Sequence, residues 1–195
     1  MIKHLPNFIT ISRLLAIPFI AYFFSRGQYE QSLMILIYAG LSDLIDGGLA
    51  RALSSRTKLG AILDPAADKL LMFVGYFTLA FAHVIPFWVA FLVFLRDLYI
   101  VLGVLFLKTR HKRIFIRPTY LSKMTTFFQL FLLSFGFLST YLPVARWDWL
   151  KNLSEEAHLA FQINLFLMIL FTALSAIHYT FIGIAILKNS DESEA

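Results

Sequence analysis

The chain is predicted to be an all-α integral membrane protein with six transmembrane helices, a short N-terminal surface helix and both termini in the cytoplasm. Three observations predict this. Of 195 residues, 59% are hydrophobic and 15% charged, and the mean hydropathy is +0.74, outside the range of ordinary soluble domains. Six apolar stretches reach the roughly 20 residues that cross a ~30 Å hydrocarbon core. Basic residues are concentrated in alternate loops, as the positive-inside rule requires of a multi-pass protein.

Residues 3–12 are expected to lie as a short helix on the cytoplasmic surface. The spans follow near 7–26, 31–52, 59–82, 85–107, 120–141 and 160–187, with boundaries soft by several residues. Twenty-one Phe are spread over nearly every apolar run. The N-terminus (Lys3), the second loop (Arg51, Arg56, Lys58), the fourth loop (Lys108, Arg110, Lys112, Arg113, Arg117) and the C-terminus (Lys188) are basic. The alternate loops hold only Arg26, Arg146 and Lys151. Both termini are therefore expected in the cytoplasm, in agreement with an even number of spans. The longest loop, 142–158, carries Trp147-Asp148-Trp149, an expected interfacial aromatic anchor. The polar tail 189–195 is expected to be disordered. With no internal repeat and no flexible linker, 1–195 reads as a single membrane domain.

The formal charge of +5 sits in juxtamembrane loops, where anionic lipid head groups rather than nucleic acid are the natural partner. The absence of Cys rules out disulfide, zinc–thiolate and cysteine-nucleophile chemistry. The opening Met1-Ile2-Lys3-His4, soon followed by Pro6-Asn7-Phe8, is expected to contain no cleavable signal or transit peptide. This suits a bacterial inner-membrane protein inserted through its own spans, with a mature organellar form as the alternative.

Two aspartate pairs interrupt the apolar runs: Asp43 with Asp46, then Asp64 with Asp68. A carboxylate near a membrane helix end costs several kcal/mol unless compensated, so four of them call for a cation or a proton-handling role. Spacings of three and four residues place each pair on one face of its own helix. Two such helices joined by a short basic loop would turn four carboxylates into one cavity, and clustered carboxylate oxygens suit Mg2+ or Mn2+. Gly47 and Gly60 occupy helix positions where Gly costs about 1 kcal/mol against Ala, which close approach of a ligand or a neighbouring helix would explain. Ala50 adds to this small face and Arg51 offers a planar fork for a phosphate oxygen. Pro65 removes one backbone donor beside Asp64 and so loosens the third span there.

The full pattern, Asp43-x2-Asp46-Gly47-x2-Ala50-Arg51-x8-Gly60-x3-Asp64-x3-Asp68, resembles the signature of the CDP-alcohol phosphatidyltransferases. Gly48, at one of its variable positions, adds another small residue where relatives often carry an aromatic. The resemblance implies displacement of CMP from CDP-diacylglycerol by an acceptor alcohol, in a site with two divalent ions. Asp43, Asp46 and Asp64 would be the main metal ligands. Asp68 would contact the metal site while taking the acceptor's proton; the residues alone do not separate Asp68 from Asp64 in that role. Gly47, Arg51 and Gly60 would help hold the CDP moiety, and similar enzymes are homodimers.

Residues that choose the acceptor are expected outside this motif: Arg96-Asp97 midway along the fourth span, Arg117 and Lys123 around the start of the fifth, and Asn7 with Arg13 in the first segment. A self-satisfied ion pair is the alternative role for Arg96, and snorkelling to the interface for Lys123. Arg96-Asp97 and Arg117-Pro118-Thr119-x2-Ser122-Lys123-x2-Thr126 are most similar to cardiolipin synthases of the mitochondrial and actinobacterial type, although the longer fourth-loop insertion of the eukaryotic enzymes is missing. Phosphatidylglycerol is thus the expected acceptor and glycerol 3-phosphate the alternative. A cation transporter using the aspartates as its path is the reading from a different class, but such sites usually lie near the bilayer midplane in paired repeats.

Overall fold

A computed structural model describes the backbone of residues 5–52, 60–110 and 119–194, and side chains for 8–43, 45, 60, 63–107, 109 and 119–186. The described residues form helices and connecting turns. The helices are α1 (Leu5–Ser25), α2 (Tyr29–Ala52), α3 (Gly60–Phe81), α4 (Phe87–Arg110), α5 (Tyr120–Tyr141), a short α6 (Asp148–Lys151) and α7 (Ser154–Glu194). α1 packs on α2 and α3, α5 packs on α7, and α4 leans on α3 and α7. Contacts of α5 with α2 and α3 join the two groups.

The seam of α1 explains its packing. Thr10, Arg13, Ile17, Ile20 and Phe24 recur at alternating steps of three and four, and all are buried. Its apolar half enters the main core with Leu36 and Ala39 of α2 and Leu71, Tyr76 and Leu79 of α3; its polar half points at the aspartates. α1 ends in a Schellman turn: Gly27 adopts φ 72°, Gly27 N–H donates to the Phe24 carbonyl, and Gln28 N–H to that of Phe23. α3 closes the same way around His83 at φ 58°, with Val84 N–H donating to the Leu79 carbonyl at 2.9 Å. α5 begins on Thr119, whose side chain accepts from Ser122 N–H at 3.2 Å.

Glycines set the distance between α3 and α5. A Cβ on Gly75 of α3 would lie 2.6 Å from Leu133 Cδ1, and a Cβ on Gly136 of α5 would lie 2.6 Å from Leu79 Cδ1. Each helix thus presents a gap that the other fills with leucine, the small-residue packing by which membrane helices approach closely. Tyr76 adds a hydroxyl donated to the Gln129 carbonyl at 2.9 Å. These contacts fix the height at which α5 faces the aspartates of α3.

Among the described residues, four segments are long and apolar enough to cross a membrane: Phe8–Ser25, Phe87–Leu107, Tyr120–Val144 and Asp148–Ile186. α2 and α3 reach the length, at 24 and 22 residues, but carry the aspartates and Lys69, and these charges dilute their hydropathy. Phe and Leu side chains such as Phe19, Phe91, Leu102 and Phe166 point outward all around the bundle, the surface of a protein solvated by hydrocarbon rather than water.

Three expectations need correction. Among the described residues no separate surface helix precedes the first span, because Leu5–Ser25 is one helix: Pro6 sits in its first turn, where proline is tolerated, and nothing between Asn7 and Ile17 breaks it. The 142–158 connection is largely ordered. It holds a 3-10 turn at Leu142–Val144, α6, and the first residues of α7; Trp147 and Trp149 are both exposed there. The tail is not irregular, since α7 continues to Glu194 with neither Gly nor Pro after Gly183 to stop it. Its 41 residues span about 60 Å at 1.5 Å per residue, twice a hydrocarbon core.

Candidate active site

The antiparallel course of the helices gathers the polar residues at one end of the bundle. There α1 and α3 begin, α2 ends and α5 begins, while the Gly27 and His83 turns mark the opposite end. Arg13 of α1 is fully buried and joins the two aspartate helices: Nη1 donates to Asp43 Oδ1 of α2 at 2.6 Å and to Asp68 Oδ1 of α3 at 3.2 Å. One turn earlier, the Thr10 hydroxyl donates to Asp64 Oδ1 at 3.0 Å. Asp43 and Asp68 are thereby brought together across the two helices, and Asp64 stands one turn before Asp68 on α3.

Among the described residues, no three His, Cys, Asp or Glu side chains lie close enough together to hold one ion. The side chains of Asp46 and Arg51, and the surroundings of Gly47 and Ala50, lie outside the described residues, although all four continue α2. Gly60 is buried at the start of α3, and Pro65 falls inside the helix just after Asp64.

A cavity of about 500 Å3 opens beside Asp43 and Asp68, and Arg13, Gly40, Lys69, Thr126 and Gln129 also line it. The Asp43 and Asp68 side chains are 42% and 53% exposed, so each carboxylate keeps oxygen surface for a further partner. Lys69 is paired with Asp97, so in this lining Asp43 and Asp68 outweigh the one charge of Arg13, which leaves this end of the cavity suited to cations. An apolar groove of about 400 Å3 runs between α3 and α4, lined by residues such as Leu70, Phe73, Phe77 and Phe94. It shares Lys69 and Met72 with the carboxylate cavity.

The expected acceptor residues divide. Arg96 is buried, and its guanidinium is engaged inside the protein: Nη1 donates to Asp97 Oδ1 at 2.9 Å, and Nη2 to Ser122 Oγ at 2.8 Å and Ser175 Oγ at 2.9 Å. Lys69 pairs with the other oxygen of Asp97. This network ties α4 to α3, α5 and α7, and Arg96 does not line the carboxylate cavity. Lys123 is exposed near the start of α5, one turn before Thr126. Arg117 and the side chain of Asn7 lie outside the described residues. Sequence reasoning grouped Arg13 with acceptor selection and missed its hold on Asp43 and Asp68; the available signal was a lone arginine three residues after Thr10 in an apolar run. It also passed over Gln129, the one amide in Thr126-Phe127-Phe128-Gln129-Leu130-Phe131.

A family profile described as CDP-alcohol phosphatidyltransferase matches residues 3–187. A relative from Drosophila melanogaster named as a probable cardiolipin synthase (CMP-forming) is 34% identical, over 91% of this chain and 57% of that protein. A relative from Aquifex aeolicus named as a CDP-diacylglycerol–glycerol-3-phosphate 3-phosphatidyltransferase is 36% identical, over 71% of this chain and 78% of that protein. The human cardiolipin synthase (CMP-forming) is 29% identical, over 67% of this chain and 48% of that protein. The chain thus spans about half the length of the animal relatives. No solved structure matches it.

Proposed function

The chain belongs to the CDP-alcohol phosphatidyltransferase family, and we propose that it transfers phosphatidyl from CDP-diacylglycerol to phosphatidylglycerol, giving cardiolipin and CMP. Membership in a transferase family sets aside the cation-path alternative. The observation that carries the acceptor is the apolar groove sharing Lys69 and Met72 with the carboxylate cavity. A lipid acceptor needs a hydroxyl at the carboxylates and acyl chains in hydrocarbon, and such a groove serves both. Glycerol 3-phosphate, a soluble dianion, would instead need several cationic donors; Arg96 and Lys69 are already committed to Asp97. The similarity to the fruit-fly and human proteins supports the same reading, and that to the Aquifex protein keeps glycerol 3-phosphate as the second.

In this reaction the acceptor oxygen bonds to the phosphatidyl phosphorus, the bond to the CMP oxygen breaks, and Asp68 takes the acceptor's proton. Its half-exposed side chain at the cavity wall, hydrogen-bonded to Arg13, is the support for that role. Asp43, Asp46, Asp64 and Asp68 would hold two Mg2+ or Mn2+ ions; the hard donors and surplus negative charge fit such ions. When bound, these neutralise charge on the phosphoryl and leaving oxygens. Gly47, Arg51 and Gly60 would hold the CDP moiety, while Lys123, with Arg117, would meet the acceptor's phosphate. Six spans with both termini cytoplasmic, in a bacterial cell membrane and as a homodimer, complete the proposal. In sequence the basic loops connect α2 to α3 and α4 to α5, which by the positive-inside rule would turn the site toward cytoplasmic nucleotides.

A competition assay tests the acceptor. Purified protein receives labelled CDP-diacylglycerol, Mg2+ and both acceptors, and the lipid products are resolved. Cardiolipin is expected as the main product. Mainly phosphatidylglycerophosphate would reverse the choice of acceptor, and no CMP with any acceptor alcohol would sink the transferase reading.

A further inference from the structure

Gln129 is 1% exposed and lines the cavity of Asp43 and Asp68 from the α5 side. Its backbone carbonyl is held by Tyr76, so its position on the wall is fixed from α3. Its side-chain Nε2 has no hydrogen-bond partner among the described residues. The nearby Asn164 of α7, by contrast, donates its amide to the Phe128 carbonyl at 3.3 Å. A buried amide donor left without an acceptor is costly, and the flanking Phe128 and Leu130 show that an apolar residue suits this helix. Nε2 itself is closed off from the open cavity, so a turn of the Gln129 side chain matches the amide to something that enters there.

The chemistry of the walls narrows what enters. Two carboxylates stand on the α2 and α3 side, and a neutral amide stands on the α5 side with the Thr126 hydroxyl. Arg13 and Lys69 also line this cavity, but Arg13 is engaged by Asp43 and Asp68 and Lys69 by Asp97, so a phosphate would meet carboxylates and gain no cation from Gln129. A hydroxyl both donates and accepts, so it satisfies an amide. A vicinal diol offers one hydroxyl to a carboxylate of this cavity and a second to the amide.

We infer that Gln129 is a specificity-determining residue that binds the non-reacting hydroxyl of a glycerol unit while the neighbouring hydroxyl lies at Asp68. This rests on the phosphatidyltransferase reading, but not on which glycerol-based acceptor is used, because phosphatidylglycerol and glycerol 3-phosphate both present adjacent free hydroxyls. A site that hydrogen-bonds a substrate hydroxyl discriminates against the analogue lacking it.

The test compares the preferred acceptor with its 1,3-propanediol analogue, which keeps the reacting hydroxyl and lacks the central one. Full-length protein in detergent with CDP-diacylglycerol and Mg2+ should show kcat/KM for the analogue lowered about tenfold or more. Gln129→Met should lose activity on the glycerol acceptor by a similar factor and treat the two acceptors within about twofold of each other, with KM for CDP-diacylglycerol unchanged. Damage to packing alone would lower both acceptors together and leave the wild-type ratio, which would overturn the inference. Equal use of both acceptors by the wild-type protein would overturn it as well, without reference to any variant. No CMP from the wild-type protein with either acceptor would instead defeat the underlying transferase reading.

Discussion

Asp43→Asn and Asp64→Asn are expected to abolish phosphatidyl transfer, by about a thousandfold or more, because several kcal/mol of charge stabilisation depend on the ions these carboxylates would hold. Asparagine keeps shape and one carbonyl oxygen but removes the charge that attracts a divalent ion. Asp43 sits half-exposed at the cavity wall and buried Arg13 keeps Asp68 as a counter-charge, so its variant should remain folded. Asp68→Asn should lose about 10²- to 10⁴-fold in the chemical step, the usual worth of a general base, with ion and CDP-lipid binding better preserved. Turnover measured with ion titration, alongside thermal unfolding in detergent, separates these outcomes. Activity of Asp43→Asn in chelator would contradict a metal-dependent mechanism. An ion affinity of Asp68→Asn that falls as far as that of Asp43→Asn would move the base elsewhere.

Arg13→Met should destabilise the protein and make its stability depend on divalent ions. Removing one partner of a buried ion pair costs about 3–5 kcal/mol when the surviving charge stays buried. Here the survivors, Asp43 and Asp68, are 42% and 53% exposed, so solvent screening reduces the expected loss to about 1–3 kcal/mol. Without the guanidinium, the two carboxylates that shared Nη1 repel each other across the α2–α3 junction. Added Mg2+ or Mn2+ should therefore raise the melting temperature of Arg13→Met by more than that of the wild-type protein, while Arg13→Lys should recover part of the loss. Equal stabilisation of variant and wild type by the ions would show that Arg13 is not what balances these carboxylates.

The aspartate frame is legible in the sequence because helical spacing is local: residues three and four apart share a face whatever the helix packs against. Helix existence is legible for the same reason. Apolar runs of about 20 residues leave the backbone no partner but itself in hydrocarbon, and α2 to α5 fall within a few residues of their predicted bounds. Helix ends are less legible where composition misleads. The polar tail reads as disordered, yet nothing in it breaks a helix, and α7 continues through it. Residues 3–12 read as a separate surface helix, yet Leu5–Ser25 is unbroken.

By itself, the sequence determined an all-helical chain rich in apolar surface, the family signature, and the pairing of carboxylates within each of two helices. Only the tertiary structure decided which residues from other helices meet them. Arg13 and Asp68 are joined across 55 positions, Thr10 and Asp64 across 54, and Arg96 and Ser175 across 79. Such contacts depend on how helices are rotated and at what height they dock. That is set here by the α1 seam and by the reciprocal fit of Gly75 with Leu133 and Gly136 with Leu79. A lone arginine or glutamine in an apolar run announces that it needs a partner, because hydrocarbon supplies none; which partner it finds is a matter of packing, and packing is not written in the spacing of any single helix.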